Sequence, residues 1–320
     1  MTSTVFARYR QMLKHWARMV SGHSYWHQEQ AIGRQFRPGE LQGYFNDLTA
    51  KAAWSGETDP SGIPLCRCSG RSVYWPVTIA QKGLAHWDLW LESGRVAQEH
   101  RKGFFDVAGW LIKSQDARGG WAYPVPVDST PLSSYSCMSQ GEGASVLVRA
   151  FNETGVQDYV HAAKRALQIM LAPVDNGGTA VHGGNRLILE EYPSSRCAPV
   201  LNGWIFAIFG LYDYGLAVPD PTISDALTAT VRTLAEWLPK FDGGYWSRYD
   251  TSGAIASPFY HRLHIAQLVA LSLAFPQQAE FAAWRNRFES ESRSALKNSR
   301  AVGCKLIQKL MHPPRIVVET

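Results

Sequence analysis

The chain has 320 residues, 45% of them apolar, with 32 Lys and Arg against 27 Asp and Glu and a formal net charge of +5. That composition excludes a disordered chain, and the basic excess is smaller than a nucleic-acid binder usually carries. It suits an acidic polysaccharide or an anionic membrane face, and by itself it requires nothing beyond solubility.

The first 22 residues, MTSTVFARYRQMLKHWARMVSG, place apolar residues at helical spacing among Arg and Lys, with no acid. They lack the continuous apolar core of a signal peptide. Residues 1–40 are therefore expected to be a basic, amphipathic helical region packed on its own domain; a helix lying on a membrane surface is the second reading. Residues up to about 76 read as turns and short strands, with Tyr44 and Tyr74 free either to reach a cleft or to pack. From residue 77 onward helical periodicity dominates. Helices are predicted over 77–92, 98–115, 141–153, 156–171, 199–214, 222–238, 260–275 and 277–297. Short extended pieces are predicted at 71–75, 120–125, 186–192 and 244–249. The tail from 299 to 320 is again basic and amphipathic and carries the same two readings as the N-terminus. No segment reaches the length of a membrane span. The five cysteines, Cys66, Cys68, Cys137, Cys197 and Cys304, are odd in number and fit no zinc or redox spacing, so reduced thiols of an intracellular protein are expected.

Three glycine pairs organise the chain: Gly119-Gly120, Gly177-Gly178 and Gly243-Gly244, at intervals of 58 and 66 residues. Each follows a helix and a polar turn with an Asp, and each precedes an extended piece, a loop and a more apolar helix. Two helices in about sixty residues is too long for a simple solenoid repeat and suits an α/α barrel. In such a barrel the inner helices are buried nearly all round. GASVLVRAF, NGWIFAIFGLYDYG and HIAQLVALSLAF read as inner helices, and DALTATVRTLAEWL and AEFAAWRNRFESESR as outer ones. The barrel is placed at 41–298.

Every outer-to-inner loop of an α/α barrel lies at one end. The loops after the glycine pairs should therefore bring Tyr123, Tyr135, Glu190, Glu191, Tyr192, Tyr249, Tyr260 and His261 to one mouth. On these grounds alone Glu191 reads equally well as a working carboxylate or as a charge at the start of the next helix. Gln140, Glu142 and Asn202 stand at inner-helix starts, where caps and sugar contacts are equally good readings. His261-x-x-His264 is a weak metal motif, and His264 reads better as a buried hydrogen-bonded residue. Arg149 reads as structural, facing a neighbouring helix. No metal site is expected.

The segments YSCMSQGEGASVLVRAF (135–151), EEYPSSRCAPVLNGWIFAIFGLYD (190–213) and YHRLHIAQL (260–268) carry a resemblance. With VTIAQKGLAHWD (77–88) and AGWLIKSQDARGGW (108–121), in order over roughly 40–298, they resemble the C-terminal catalytic domain of the D-glucuronyl C5-epimerases of heparosan and heparan sulfate. The resemblance implies an α/α barrel and conversion of D-glucuronate to L-iduronate within a polymer, with no cofactor. It implies acid/base roles for Glu191, the second Glu of EEYP, for Tyr249 and for Tyr260. Two departures stand out. Animal members carry a β-sandwich between the segments matching 77–88 and 108–121; here fewer than twenty residues separate them, so that domain is missing. Arg196 stands where the family pattern is neutral, and SRYDTSG lacks the Leu-Arg that commonly follows the Tyr249 position.

Epimerisation at C5 needs proton-transfer groups on opposite faces of the ring and donors on the substrate carboxylate. Arg196, Arg248, Arg262 and His261 are the local cations for that clamp, Arg matching a carboxylate with its planar fork. Tyr123, Tyr135, Gln140, Glu190, Tyr192 and Asn202 complete the expected substrate contacts. The partner expected is an acidic polysaccharide or a lipid-linked glycan, handled in the cytoplasm or at the inner membrane face, and homodimer formation is left open. A uronate lyase and a non-catalytic carbohydrate-binding protein are the alternative readings on the same scaffold.

Overall fold

A computed structural model of the chain describes residues 27–126, 131–311 and 318–319. Residues 1–26 of the predicted N-terminal helical region lie outside the described residues, and residues 28–40, which are described, are turns and an isolated bridge from Ile32 to Asn46, not a helix. Among the described residues eight helices form four antiparallel pairs: α1 (Pro76–Glu92) with α2 (Gln98–Ser114), α3 (Cys137–Thr154) with α4 (Gln157–Leu171), α5 (Leu201–Ala217) with α6 (Pro221–Trp237), and α7 (Pro258–Ala274) with α8 (Ala279–Ser292). A ninth, α9 (Ala295–Met311), follows. The first member of each pair packs on the first member of the next, α1 on α3, α3 on α5 and α5 on α7. These are the inner helices of an α/α toroid. Their burial shows it: α3 is buried continuously from Cys137 to Ala150, and α5 from Leu201 to Leu211. The outer helix α6 buries only one stripe, through Ile223, Thr230, Val231 and Leu234.

Small hairpins decorate this frame. β1 (Cys66–Cys68) pairs antiparallel with β2 (Arg71–Val73), and β5 (Val318–Glu319) joins the free edge of β1, with Arg67 opposite Glu319. β3 (Ala180–Gly183) and β4 (Arg186–Leu189) form the second hairpin, in register Ala180 with Leu189. Its turn carries Gly184 at φ 59°, a conformation that favours glycine. β4 packs on α6, and the backbone N–H of Leu187 donates to the Thr233 hydroxyl at 3.1 Å. The chain therefore leaves β4 in a fixed direction and delivers Glu190 and Glu191.

Two helix boundaries differ most from the sequence-based expectation, and the extended pieces predicted at 120–125 and 244–249 hold only isolated bridges. Helix α3 begins at Cys137, not at 141, although Gly141 and Gly143 resemble helix breakers. Gly141 lies inside the helix because α3 and α5 approach backbone to backbone, and Gly143 because the Trp121 ring packs against it. A Cβ on Gly141 would stand 2.7 Å from the Ala207 Cα, and one on Gly210 would overlap the Gly141 carbonyl oxygen and stand 2.5 Å from its Cα. Gly210→Ala is expected to destabilise the protein by about 1–3 kcal/mol in urea unfolding, since neither backbone can yield without disturbing the other. The predicted helix over 277–297 is two helices. The chain turns at Arg293 and Ser294, and Ser294 Oγ accepts from the backbone N–H of Lys297 at 3.4 Å, starting α9. The expected boundary between barrel and tail at 298 thus falls within α9.

The ends of the toroid differ. At the C-terminal ends of the inner helices the segment 42–48 acts as a plug. Phe45 stacks on Phe209 at 3.9 Å, and Tyr44 lies parallel to Phe206. Arg149 of α3 pairs with Asp213 of α5 and donates to the carbonyl oxygens of Gln42, Gly43 and Ser145. Arg149 is therefore the interhelical structural residue that the sequence suggests. Tyr44 is fully buried in this plug, while Tyr74 is 40% exposed and donates to Asp59.

Candidate active site

At the other end the three outer-to-inner loops are tied to one another. The backbone N–H of Leu132 donates to Pro193 O at 3.0 Å, that of Cys137 to Glu190 O at 3.1 Å, and that of Leu201 to Tyr249 O at 3.0 Å. The convergence expected from the glycine-pair repeat is present as hydrogen bonds. Gly119, Gly177 and Gly244 all take positive φ, from 72° to 92°, at the turns that begin these loops. Around them the N-terminal ends of all four inner helices enclose a small void. It is lined by Trp75, Val77 and Gln81 of the α1 end, Met138 of α3, Asn202 and Phe206 of α5, and Phe259, Tyr260 and Leu263 of α7, with Gln30, Tyr123, Glu191 and Tyr192.

Glu191 lines this void. It is 4% exposed, and burial raises its carboxyl to about pKa 7, against the Tyr192 phenol, which pulls it down. The carboxylate also touches α5 closely. A Cβ on Gly203 would overlap it and stand 2.8 Å from the Glu191 Cβ, so the second residue after Leu201 has to be bare. Four phenols feel its charge: Tyr123, Tyr192, Tyr249 and Tyr260 are all raised above the ordinary tyrosine value, by burial first and by Glu191 next. Tyr260 lines the void, and Tyr249 meets it edge to face at 4.9 Å. Tyr192 and Tyr123 stack at 6.0 Å, and Tyr123 stacks in turn on Trp75 at 4.7 Å. Glu191 after β4, Tyr249 in the connection before α7 and Tyr260 in the first turn of α7 are thus brought together.

Beneath the void lies a buried polar layer. Gln81 donates to Glu142 Oε1 at 2.9 Å, which leaves the Gln81 carbonyl as its remaining polar atom. Burial pushes Glu142 well above the usual carboxyl range, with Glu191 adding to the rise and Lys51 opposing it. Burial likewise pulls Lys51 down to about 7, against the attraction of Glu142. Asn202 is 3% exposed; its carbonyl accepts from Gln267, and its Oδ1 has no hydrogen-bond partner. Gln81, Lys51, Trp75 and Phe259 were not singled out from sequence. A glutamine on the otherwise apolar face of VTIAQKGLAHWD is a signal that could have found Gln81; Lys51 has no periodic context.

Other expected contacts are placed elsewhere. His261 is fully buried, stacked on Trp246 at 3.7 Å. Its Nδ1 accepts from the Ser247 amide at 3.2 Å and its Nε2 lies 3.0 Å from Phe288 O, so it faces α8. Burial drops its pKa to about 4, and with both ring nitrogens engaged it does not line the void. His264 is the buried hydrogen-bonded residue expected, 2.9 Å from Ser247 Oγ. Arg262 pairs with Glu29 on the surface at 3.0 Å. Arg248 donates to Lys240 O at 3.4 Å, and Arg196 is exposed; neither lines the void. Gln140 uses its amide on the backbone of Trp121, at 3.0 and 3.1 Å, and is a structural clasp. Glu190 is buried beside Ser194, Cys197 and Ala198, and burial raises it to about 7; it lines no part of the void. Tyr135 donates to Asp116 at 2.6 Å, and its ring faces a neighbouring groove. Among the described residues no group of three or more His, Cys, Asp or Glu could hold a metal ion, and no helix is long and apolar enough to cross a membrane.

Comparison with known proteins places this arrangement. Residues 115–290 match the model of the D-glucuronyl C5-epimerase C-terminus. A D-glucuronyl C5-epimerase of Caenorhabditis elegans is 31% identical over 193 residues, 52% of this chain and 31% of that protein. An uncharacterised protein of Methanocaldococcus jannaschii is 28% identical over 129 residues, 39% of this chain and 42% of that protein. The chain thus spans less than half the length of either relative. A solved structure described as UGL_D88N/dGlcA-Glc-Rha-Glc has a TM-score of 0.44 at 14% identity, covering 70% of this chain and 61% of that one. The family match covers the three loops that meet at Glu191, from the first glycine pair to the end of α8. The chain belongs to the D-glucuronyl C5-epimerase C-terminus family.

Proposed function

We propose that the protein is an enzyme that inverts C5 of D-glucuronate residues in a glycan, giving L-iduronate. The observation that carries this reading is the buried carboxyl of Glu191, which lines the void, is raised to about pKa 7 and is set among phenols that are themselves raised. C5 bears a hydrogen alpha to a carboxylate, and its removal needs a base matched to neutral pH. Glu191 is that base. The phenols hold their protons at this pH and act as acids. Tyr260, which lines the void, returns a proton to the opposite face, with Tyr249 behind it. Glu191 then gives its proton to solvent and the Tyr260 phenolate regains one from solvent, so the cycle closes without net change and solvent deuterium can reach C5.

The intermediate is an enediolate with charge on the substrate carboxylate. No Lys or Arg is among the described residues lining the void. The charge is met instead by phenol and amide donors and by the positive ends of α1, α3, α5 and α7, whose first turns face the void.

The test is incubation with glucuronate-containing polymers in D2O, with C5 followed by NMR. Deuterium at C5 together with appearance of iduronate is expected. An unsaturated product chromophore instead would establish a lyase, and binding without exchange a carbohydrate-binding protein.

The pH dependence has a defined sign. Exchange is expected to rise as pH passes through about 7, where Glu191 becomes a carboxylate. Stability follows the opposite course. A carboxyl raised above its unfolded value binds more protons folded than unfolded between about 4.5 and 7, so this group lowers stability as pH rises through that window. Denaturant unfolding at pH 5 and pH 8 on the wild type and on Glu191→Gln isolates its share; a pH-independent difference between the two would refute the assignment.

A further inference from the structure

Helix α9 is fastened to the toroid along one face. Ala301 has no exposed surface and packs with Trp246, Ile255 and Ala256. Gln308 accepts from the Ile255 amide at 2.9 Å and donates to Gly253 O at 3.1 Å, and the Lys305 ammonium stands 5.5 Å from the centre of the Tyr249 ring. Helical spacing puts Leu296, Val302, Leu306, Ile307 and Met311 together on the opposite face. They range from 37% exposed at Leu306 to 85% at Leu296. A continuous outward stripe of large apolar side chains is more than the scattered hydrophobes of an ordinary surface. We propose that this face of α9 docks on an anionic phospholipid surface.

Charge selects that partner. No Asp or Glu occurs from Ser292 to Val318, against six Lys and Arg. Arg300 borders the stripe and is exposed, with its guanidinium 4.0 Å from the centre of the Tyr245 ring. The acids that precede α9, Glu289 and Glu291, each have an arginine partner, Arg293 at 3.9 Å and Arg287 at 3.6 Å. An amphipathic helix of this kind buries its apolar side chains at the headgroup boundary while its cations meet lipid phosphates.

Other occupants match less of this surface. A soluble acidic polysaccharide answers the charge but offers nothing to the apolar stripe. A second copy of α9 would bring like charges together, and so would the first 26 residues, which hold Arg8, Arg10, Lys14 and Arg18 and no acid. The docking is independent of the reaction assigned to Glu191. Because α9 grips the connection that carries Tyr249, a bilayer there lies beside the loops that surround Glu191.

The experiment is co-sedimentation of the full chain with vesicles of phosphatidylcholine alone and of phosphatidylcholine with an equal part of phosphatidylglycerol. Binding to the mixed vesicles is expected to be at least about tenfold tighter than to the neutral ones, and to weaken as salt is raised. Leu296→Glu with Ile307→Glu, both at exposed positions, is expected to keep the wild-type unfolding midpoint and to weaken binding to the mixed vesicles at least about tenfold. Leu296→Glu alone, at the most exposed of these positions, carries the same expectation if the pair costs stability. No vesicle binding by the wild type would overturn the proposal, and so would equal binding by the Glu variants, which places the affinity in another segment. A wild-type dimer in sedimentation velocity that the Glu variant turns into a monomer, with no vesicle binding, would make the stripe a contact between copies instead. A Glu variant that loses stability, with no vesicle binding by the wild type, would give the stripe to another segment of the same chain.

Discussion

Glu191→Gln is expected to lower C5 deuterium exchange by at least about 10³-fold while leaving glycan binding within a few fold, the signature of a lost proton-transfer group. Glutamine has nearly the same shape, so the close fit against Gly203 is preserved. The same substitution is expected to raise stability at pH 8. Wild-type Glu191 is charged and buried there, since burial has lifted its carboxyl only to about 7, and a neutral amide removes that cost. A structural carboxylate would behave differently, because its loss would lower stability and leave exchange intact. Tyr260→Phe is expected to reduce exchange by about 10²-fold or more, since the ring remains and the acid is gone. Full exchange in either variant removes that residue from the mechanism.

Arg149→Met is expected to lower the unfolding free energy by about 3–5 kcal/mol, read as a shift in the denaturant midpoint, because it strands a buried carboxylate. Arg149 has no exposed surface, and Asp213 is 2% exposed. Burial already raises the Asp213 carboxyl, with Arg149 holding it down. The guanidinium engages Asp213 through two nitrogens and three backbone carbonyls besides, so every donor direction is used. Two of those carbonyls, of Gln42 and Gly43, belong to the plug. Its loosening should expose Tyr44 and Phe45 to solvent, seen as increased quenching of aromatic fluorescence. The double variant Arg149→Met, Asp213→Leu is expected to recover much of the loss, since neither charge then remains buried alone. A single variant as stable as wild type would mean that the pair contributes nothing to closing this end of the toroid.

The architecture is largely legible in the amino-acid sequence. Helical periodicity is a local signal, and an inner helix betrays itself by being apolar on every side, as NGWIFAIFGLYDYG is. The glycine pairs are legible for a related reason. They mark turns with positive φ that recur once per helical pair, and a recurring backbone requirement leaves a recurring residue. The exceptions are instructive. The helix predicted from 141 starts four residues earlier, and Gly141 lies within it as a contact, because the neighbouring α5 backbone leaves no room for a side chain there.

At the site, sequence determined the acidic and phenolic residues and the loops that carry them, because α/α topology sends those loops to one end. It could not determine which neighbours face inward. Tyr260 and His261 are adjacent, but successive helical residues point about 100° apart. One therefore enters the void while the other turns to Phe288 on α8. Cations near in sequence proved distant in role for the same reason: Arg262 spends its charge on Glu29, 233 residues away, and Arg248 on a carbonyl. Only the tertiary structure decided that the described walls around Glu191 hold amides, phenols and helix ends instead of guanidinium groups, and that burial places its carboxyl near pKa 7. Residue type is written in the chain, but burial and the direction of a side chain depend on what the rest of the chain packs against it.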